Sequence, residues 1–370
     1  MIRICYIIGT LDFGGAEKQL LKLCSALDRA RFAPYVVVLR KGGPLLPSFL
    51  TAGIPVAQAG KRWKIDPLFF PGLVRRVRSI APDIVHTFMF TANTWGRIAA
   101  ILAGTPILVA SERCIDPWKR WHHRLIDQLL LRRTAVVVPN SRPVRDFYAQ
   151  KIGIPVERMV VIPNGVETDR AVRPRDSVRA EFGIPPDAPL VACAGRFTPQ
   201  KGFRYFVAAM PEIVSALPET RFLLIGDGES RRALEEFAAS LGMRSRAVFT
   251  GYRNDALDLL ASADVVVTPS LFEGMPNVVM EAMSLGKPVV ASAIKEMQEL
   301  IRDRDNGILV PVRDPSAIAN AVILLLSSPQ TAAFIGNNAQ ETIRARFSVT
   351  AMVKRYEELY VALSQRKAAT

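Results

Sequence analysis

The sequence predicts a parallel α/β protein of two doubly wound domains. Three observations lead there. Short β-branched runs alternate with longer amphipathic stretches along the whole chain, the alternation restarts midway after a polar, proline-bearing stretch, and 370 residues are many for one core. Residues 2–8 are almost entirely apolar and read as a buried strand, residues 16–27 carry apolar side chains at helical spacing, and 34–39 resume a strand. Further strands are expected at 84–86, 107–110 and 135–139, each followed by a longer mixed segment. The second half repeats the pattern at 190–194, 221–225, 247–250, 264–268, 288–291 and 307–310. Strands apolar on successive residues belong to parallel sheets covered on both faces. Val172-Arg173-Pro174-Arg175-Asp176 reads as a linker, which sets the expected domains at 1–171 and from 172 onward, with a cleft between them.

Composition narrows the class. Hydrophobic residues make up 49% and charged residues 22%, the balance of a globular protein. The cysteines Cys5, Cys24, Cys114 and Cys193 are scattered, so neither a disulfide framework nor a zinc site is expected and a reducing compartment fits. The opening apolar stretch is too short for a signal peptide and no run is long enough to span a bilayer. Charge is unevenly placed: residues 1–168 hold 24 Lys and Arg against 11 Asp and Glu, or +13, and the rest hold 24 against 23, or +1. Such a field favours an anionic partner, whether phosphate groups, nucleic acid or an acidic membrane.

The densest chemical signal is Pro269-Ser270-Leu271-Phe272-Glu273-Gly274-Met275-Pro276-Asn277-Val278-Val279-Met280-Glu281-Ala282-Met283. It follows a strand that Pro-Ser ends and turns helical beyond Pro276. The backbone N–H groups of Asn277, Val278 and Val279 then open a helix, which suits an anion, with Glu281 about one turn further and Glu273 in the loop before. Arg196 and Lys201 follow the 190–194 strand between Gly195 and Gly202, where two cations are either a surface charge pair or a place to offset the charge of a bound anion. Gly14-Gly15 precede the first helix, either as a tight turn or as a place where a ligand approaches the backbone. Gly226-x-Gly228 lacks the third glycine of a dinucleotide fingerprint, so NAD is not indicated.

These residues resemble the retaining glycosyltransferases of family 4, whose Glu-x7-Glu motif is similar to Glu273 through Glu281. Gly195-Arg196 with Lys201-Gly202, Gly226-Asp227-Gly228, Gly251-Tyr252, Asn140-Ser141, Pro163-Asn164-Gly165 and Gly14-Gly15-Ala16-Glu17 match the family in order between about residues 5 and 310. The resemblance implies the GT-B fold, two Rossmann-like domains facing a central cleft, with residues 1–171 on the acceptor side, 172–348 binding the nucleotide sugar, and 349–370 a helix returning to the first domain. It implies transfer of a sugar from a nucleotide-diphosphate donor, by family tendency a UDP-sugar, with retention of anomeric configuration. Glu273 then acts at the transferred sugar. Gly15, Arg196, Lys201, Asn277, Val278, Val279 and Glu281 bind the donor, with Glu281 on the ribose. Arg196 and Lys201 act without a metal, and no cofactor is expected. The chain's Asp-x-Asp, Asp303-Arg304-Asp305, reads as a loop turn.

Two departures stand out. The histidines are His86, His122 and His123, and where the family carries a His after the 107–110 strand this chain has Arg113. Three residues are open for the acceptor-side catalytic role, Arg113 at the expected place and Glu112 or His86 at neighbouring strand ends, with Gly14 also on that side and a structural role equally open for His86. Where the family tends to Gly-Gly ahead of Glu299, this chain has Lys295-Glu296.

Trp118, Trp121, Leu125, Leu129 and Leu130 recur at helical spacing among Lys119, Arg120, Arg124, Arg132 and Arg133. Such a helix suits an anionic membrane surface, with Trp118, Trp121 and Arg124 in contact, and equally suits a packed helix with a solvated basic side. Lys61-Arg62-Trp63-Lys64 and Arg75-Arg76-Val77-Arg78 extend the basic surface. The expected function is a cytoplasmic glycosyltransferase at the inner face of the membrane, building a cell-surface polysaccharide on a saccharide or lipid-linked oligosaccharide acceptor. One rival is a sugar-nucleotide epimerase of the same architecture, against which the shortage of His argues. The other is a non-catalytic anion- or nucleic-acid-binding protein, which has no need of Glu273, Glu281, Arg196 and Lys201 in the nearly neutral half.

Overall fold

The computed structural model describes residues 1–63, 66, 68–116 and 118–368; Lys64 of the expected basic stretch lies outside them. The chain divides into two compact units, Met1–Gly165 with Val349–Thr370, and Val166–Ser348.

The first unit holds strands β1 (Ile2–Ile8), β2 (Phe32–Val38), β3 (Val56–Gln58), β4 (Ile84–Phe88), β5 (Ile107–Glu112) and β6 (Val136–Pro139). They form one parallel sheet in the order β3-β2-β1-β4-β5-β6. Alternation along each strand divides the core between the faces: Ile4, Tyr6 and Ile8 enter one cluster, Cys5 and Ile7 the other. The first face is closed by helix Val349–Ala368, whose Met352, Val353, Tyr356 and Tyr360 are buried against it. The sequence reading passes over β3, whose three residues, two half-buried and one exposed, carry no apolar run to find.

The second unit repeats the design with β7 (Leu190–Ala194), β8 (Arg221–Ile225), β9 (Ala247–Phe249), β10 (Val265–Thr268), β11 (Val289–Ser292) and β12 (Ile308–Val310), ordered β12-β11-β10-β7-β8-β9. Leu190, Ala192 and Ala194 face one core cluster, Val191 and Cys193 the other. The boundary expected after residue 171 falls instead after Gly165. Val166 already donates its N–H to Phe347 O (2.9 Å) and lies in the second core. The expected linker is tied to the same unit, because Arg173 pairs with Asp255 and Glu181 and donates its backbone N–H to Asp258.

In each sheet the strand order reverses once, between β1 and β4 and between β7 and β10. The crevice outside the carboxyl ends of such strands is where doubly wound sheets bind ligands.

Candidate active site

At the reversal in the second sheet, two loops are stitched together. A short turn, Pro199–Lys201, follows β7, and Gly202 ends it at φ 66. A Cβ on Gly202 would lie 2.0 Å from Pro269 O, just past β10, so only glycine lets the loops meet this closely. Leu271 N–H donates to Gln200 O (2.8 Å) and Gln200 Nε2 donates to Phe272 O (2.9 Å). This seam brings Lys201 Nζ to 2.6 Å from Glu273 Oε1, on which Ser270 Oγ–H also converges at 2.7 Å. Glu273 is 6% exposed, so its charge depends on these partners, while Lys201 is half-buried. The residues expected to serve sugar and diphosphate separately therefore form one pair.

Helix Asn277–Ser284 begins after Pro276, placing the first-turn amides of Val278 and Val279 at its N-terminus and half-buried Glu281 one turn on. Arg196, past the end of β7, is exposed and takes part in no ion pair among the described residues. Glu296 lies in the helix Lys295–Gln298 after β11 and is buried; burial, then the nearby Glu273 carboxylate, push its carboxyl above the usual range. In the Asp303–Asp305 stretch, Asp303 accepts the Leu309 N–H (2.8 Å), Asp305 pairs with Arg302 (2.7 Å), and Arg304 has φ 60.

In the first unit, Gly14 caps helix Gly15–Ala26 at φ −93, so the turn itself does not demand glycine there. His86 is fully buried, its Nδ1 2.8 Å from Tyr360 Oη and its Nε2 2.8 Å from Ser111 Oγ. Tyr6 donates to Tyr360 (3.1 Å), and with Tyr360 on one side and Ser111 on the other both ring nitrogens of His86 are engaged. Burial, and then Arg113, hold its pKa well below the usual histidine value. The acceptor-side role expected for His86 is corrected accordingly: it docks the C-terminal helix and presents no nitrogen to a ligand. Arg113 is 7% exposed, reaches Tyr356 Oη (3.2 Å) and Asn164 Oδ1, and lies over the Phe88 ring. Its Nε and the Asn140 Oδ1 are both buried without a hydrogen-bond partner among the described residues.

A buried ionic network supports the loop beyond. Asp127 binds Arg97 (2.7 Å) and Lys119 (2.9 Å), Lys119 also approaches Glu112 (3.6 Å), and Tyr148 Oη contacts Glu112 and Asp116 at 2.8 and 2.9 Å. The helix runs Trp121–Leu131, so Trp118 and Lys119 precede it. Lys119, Lys61 and Leu130, expected on the surface patch, are buried. Outward remain Trp118 (52% exposed), Trp121 (74%), Leu125 and Leu129 with Arg120, Arg124, Arg132 and Arg133.

A family model described as Glycosyltransferase Family 4 matches residues 13–170, and one described as Glycosyl transferases group 1 matches residues 188–328. The 2-deoxystreptamine N-acetyl-D-glucosaminyltransferase of Streptomyces fradiae is 30% identical over 340 residues, covering 85% of this chain and 76% of that protein. The chain belongs to glycosyltransferase family 4. The Escherichia coli UDP-Gal:alpha-D-GlcNAc-diphosphoundecaprenol alpha-1,3-galactosyltransferase is 27% identical, over 77% of this family 4 chain and 76% of its own. The Rhizobium meliloti lipopolysaccharide core biosynthesis glycosyltransferase LpsE is 34% identical, over 54% of this chain and 56% of its own. Among solved structures, Anabaena HepE in complex with UDP and glucose superposes with a TM-score of 0.88 at 24% identity, covering 98% of this chain and 100% of that one, a likeness that gives the GT-B fold. Membership makes this protein a glycosyltransferase and sets aside the epimerase and binding-protein readings.

Within this family 4 enzyme, sequence reasoning missed Ser270, although a hydroxyl three residues before a carboxylate in a turn is a detectable signal. It also missed Tyr356 and Tyr360, whose partners lie hundreds of positions away and leave no local trace.

Proposed function

We propose that this glycosyltransferase moves a sugar from a uridine diphosphate donor to a lipid-linked saccharide, with retention, in the assembly of a cell-surface polysaccharide. The observation that carries the donor half is the Lys201–Glu273 pair, built where the second sheet reverses its strand order and followed directly by helix Asn277–Ser284. In this reading Arg196, Lys201 and the Asn277–Val279 amides hold the diphosphate, Glu281 the ribose and Glu273 the transferred sugar. The solved HepE complexes with UDP, UDP-glucose, and UDP and glucose support a donor of this class. Arg196 and Lys201 supply the positive charge at the leaving diphosphate that a divalent ion brings elsewhere. Arg196→Ala is expected to weaken UDP binding by roughly 1.5–3 kcal/mol, discounted toward the lower figure for its exposure, and wild-type transfer is expected to persist in excess EDTA. Unchanged affinity by calorimetry removes Arg196 from the site, and loss of transfer restored by magnesium removes the metal-free assignment.

The acceptor half rests on the first unit. Arg113, with its unpartnered Nε, and Gly14 are the acceptor-side residues. Among the described residues no single helix is long and apolar enough to cross a membrane. The Trp118, Trp121 and Arg124 surface, on a unit with 28 Lys and Arg against 12 Asp and Glu where the other unit has 20 against 22, supports peripheral attachment at the cytoplasmic face, where the lipid-linked acceptor sits. The Escherichia coli relative, named for a diphosphoundecaprenol acceptor, supports the same class. Each cation near an acidic surface contributes about 1 kcal/mol, screened by salt. The wild type is therefore expected to cosediment with phosphatidylglycerol vesicles at low salt, and Trp118→Ser with Trp121→Ser to remain in the supernatant while binding UDP normally. A wild type that stays in the supernatant at low salt ends the membrane reading.

A further inference from the structure

Resting on the reading of the second unit as the donor site, one more residue bears on which sugar it takes. Strand β11 lies beside β10, with Ala291 opposite Thr268, so the loops leaving them emerge side by side. Ile294 N–H donates to Ser292 O (2.8 Å), turning the chain into helix Lys295–Gln298. Met297 is fully buried in the core and anchors that helix, and Glu296 beside it is 6% exposed. Glu296 lies within electrostatic reach of Glu273, Lys295 and Glu299. Beside the Lys201–Glu273 pair, the loops that follow β10 and β11 hold three carboxylates, Glu273, Glu296 and Glu299, and one ammonium group of their own, the exposed Lys295. Glycine at position 296 would offer bare backbone, whereas Glu296 offers an acceptor that prefers hydroxyl or ammonium partners.

We infer that Glu296 selects the donor: together with Glu273 it makes the sugar end of the site accept neutral or amino-bearing sugars and reject sugars that carry a carboxylate. A uronate there brings a like charge beside two largely desolvated carboxylates, which is discrimination by repulsion.

Calorimetry at about pH 8, well above the carboxylate range, compares UDP, UDP-glucose and UDP-glucuronate on the wild type, Glu296→Gln and Glu296→Ala. UDP-glucuronate is expected to bind the wild type at least about tenfold more weakly than UDP-glucose, and either variant to narrow that gap to about threefold or less. Because the ratio is taken within each protein, a partly unfolded variant does not imitate the effect. A wild type without the gap overturns the inference while leaving the donor site standing, and variants that keep the full gap overturn the role of Glu296. A wild type that binds neither UDP nor UDP-glucose removes the donor site itself.

Discussion

Replacing Glu273 by Gln is expected to lower sugar transfer by about 10²-fold, the worth of one or two charge-assisted hydrogen bonds at the reacting sugar. UDP binding is expected to hold or tighten. Lys201 is bound to Glu273 at 2.6 Å, and removing the carboxylate charge leaves that ammonium to the diphosphate. Turnover with a UDP-sugar and calorimetry with UDP alone separate the two effects. Parallel losses in both assays would show that Glu273 acts by positioning Lys201 and does not contact the sugar.

Asp127→Ala is expected to cost about 3–5 kcal/mol of stability, the range for removing one partner from a buried ion network. Asp127 is 2% exposed and binds both Arg97 and Lys119, themselves buried, so its loss takes a carboxylate from two cations in the core. Lys119 keeps Glu112 and Asp116 at 3.6 and 3.9 Å, whereas among the described residues Arg97 keeps Asn93 O and Thr134 Oγ1 and no second carboxylate, so Arg97 bears most of the penalty. Urea unfolding measures it, and a loss below about 1 kcal/mol would mean that water reaches the network.

Buried parallel strands were the most legible part of the sequence, because side chains covered on both faces leave continuous β-branched runs; β7 and β8 begin and end at the residues expected, 190–194 and 221–225. The ends of those strands could be found for the same reason, and with them Arg196, Lys201 and Glu273. What could not be read was who holds whom. Lys201 and Glu273 are 72 positions apart, and His86 and Tyr360 are 274 apart. Spacing places a residue on an element but does not choose its partner. The same limit explains Lys119, which looked like one more cation on a basic face yet turns inward because Asp127 and Glu112 wait there.

The helix Val349–Ala368 gives the molecule a fixed order of completion during synthesis. Val166–Ser348 holds all of its own core, so it leaves the ribosome as a finished folding unit. Residues 1–165, made earlier, lack Met352, Val353, Tyr356 and Tyr360, and Tyr6 and His86 lack their buried partner until Val349–Ala368 follows. The first unit, begun before the second, is therefore closed after it, and its sheet face, open until then, is the part of this nascent stretch that most needs shielding.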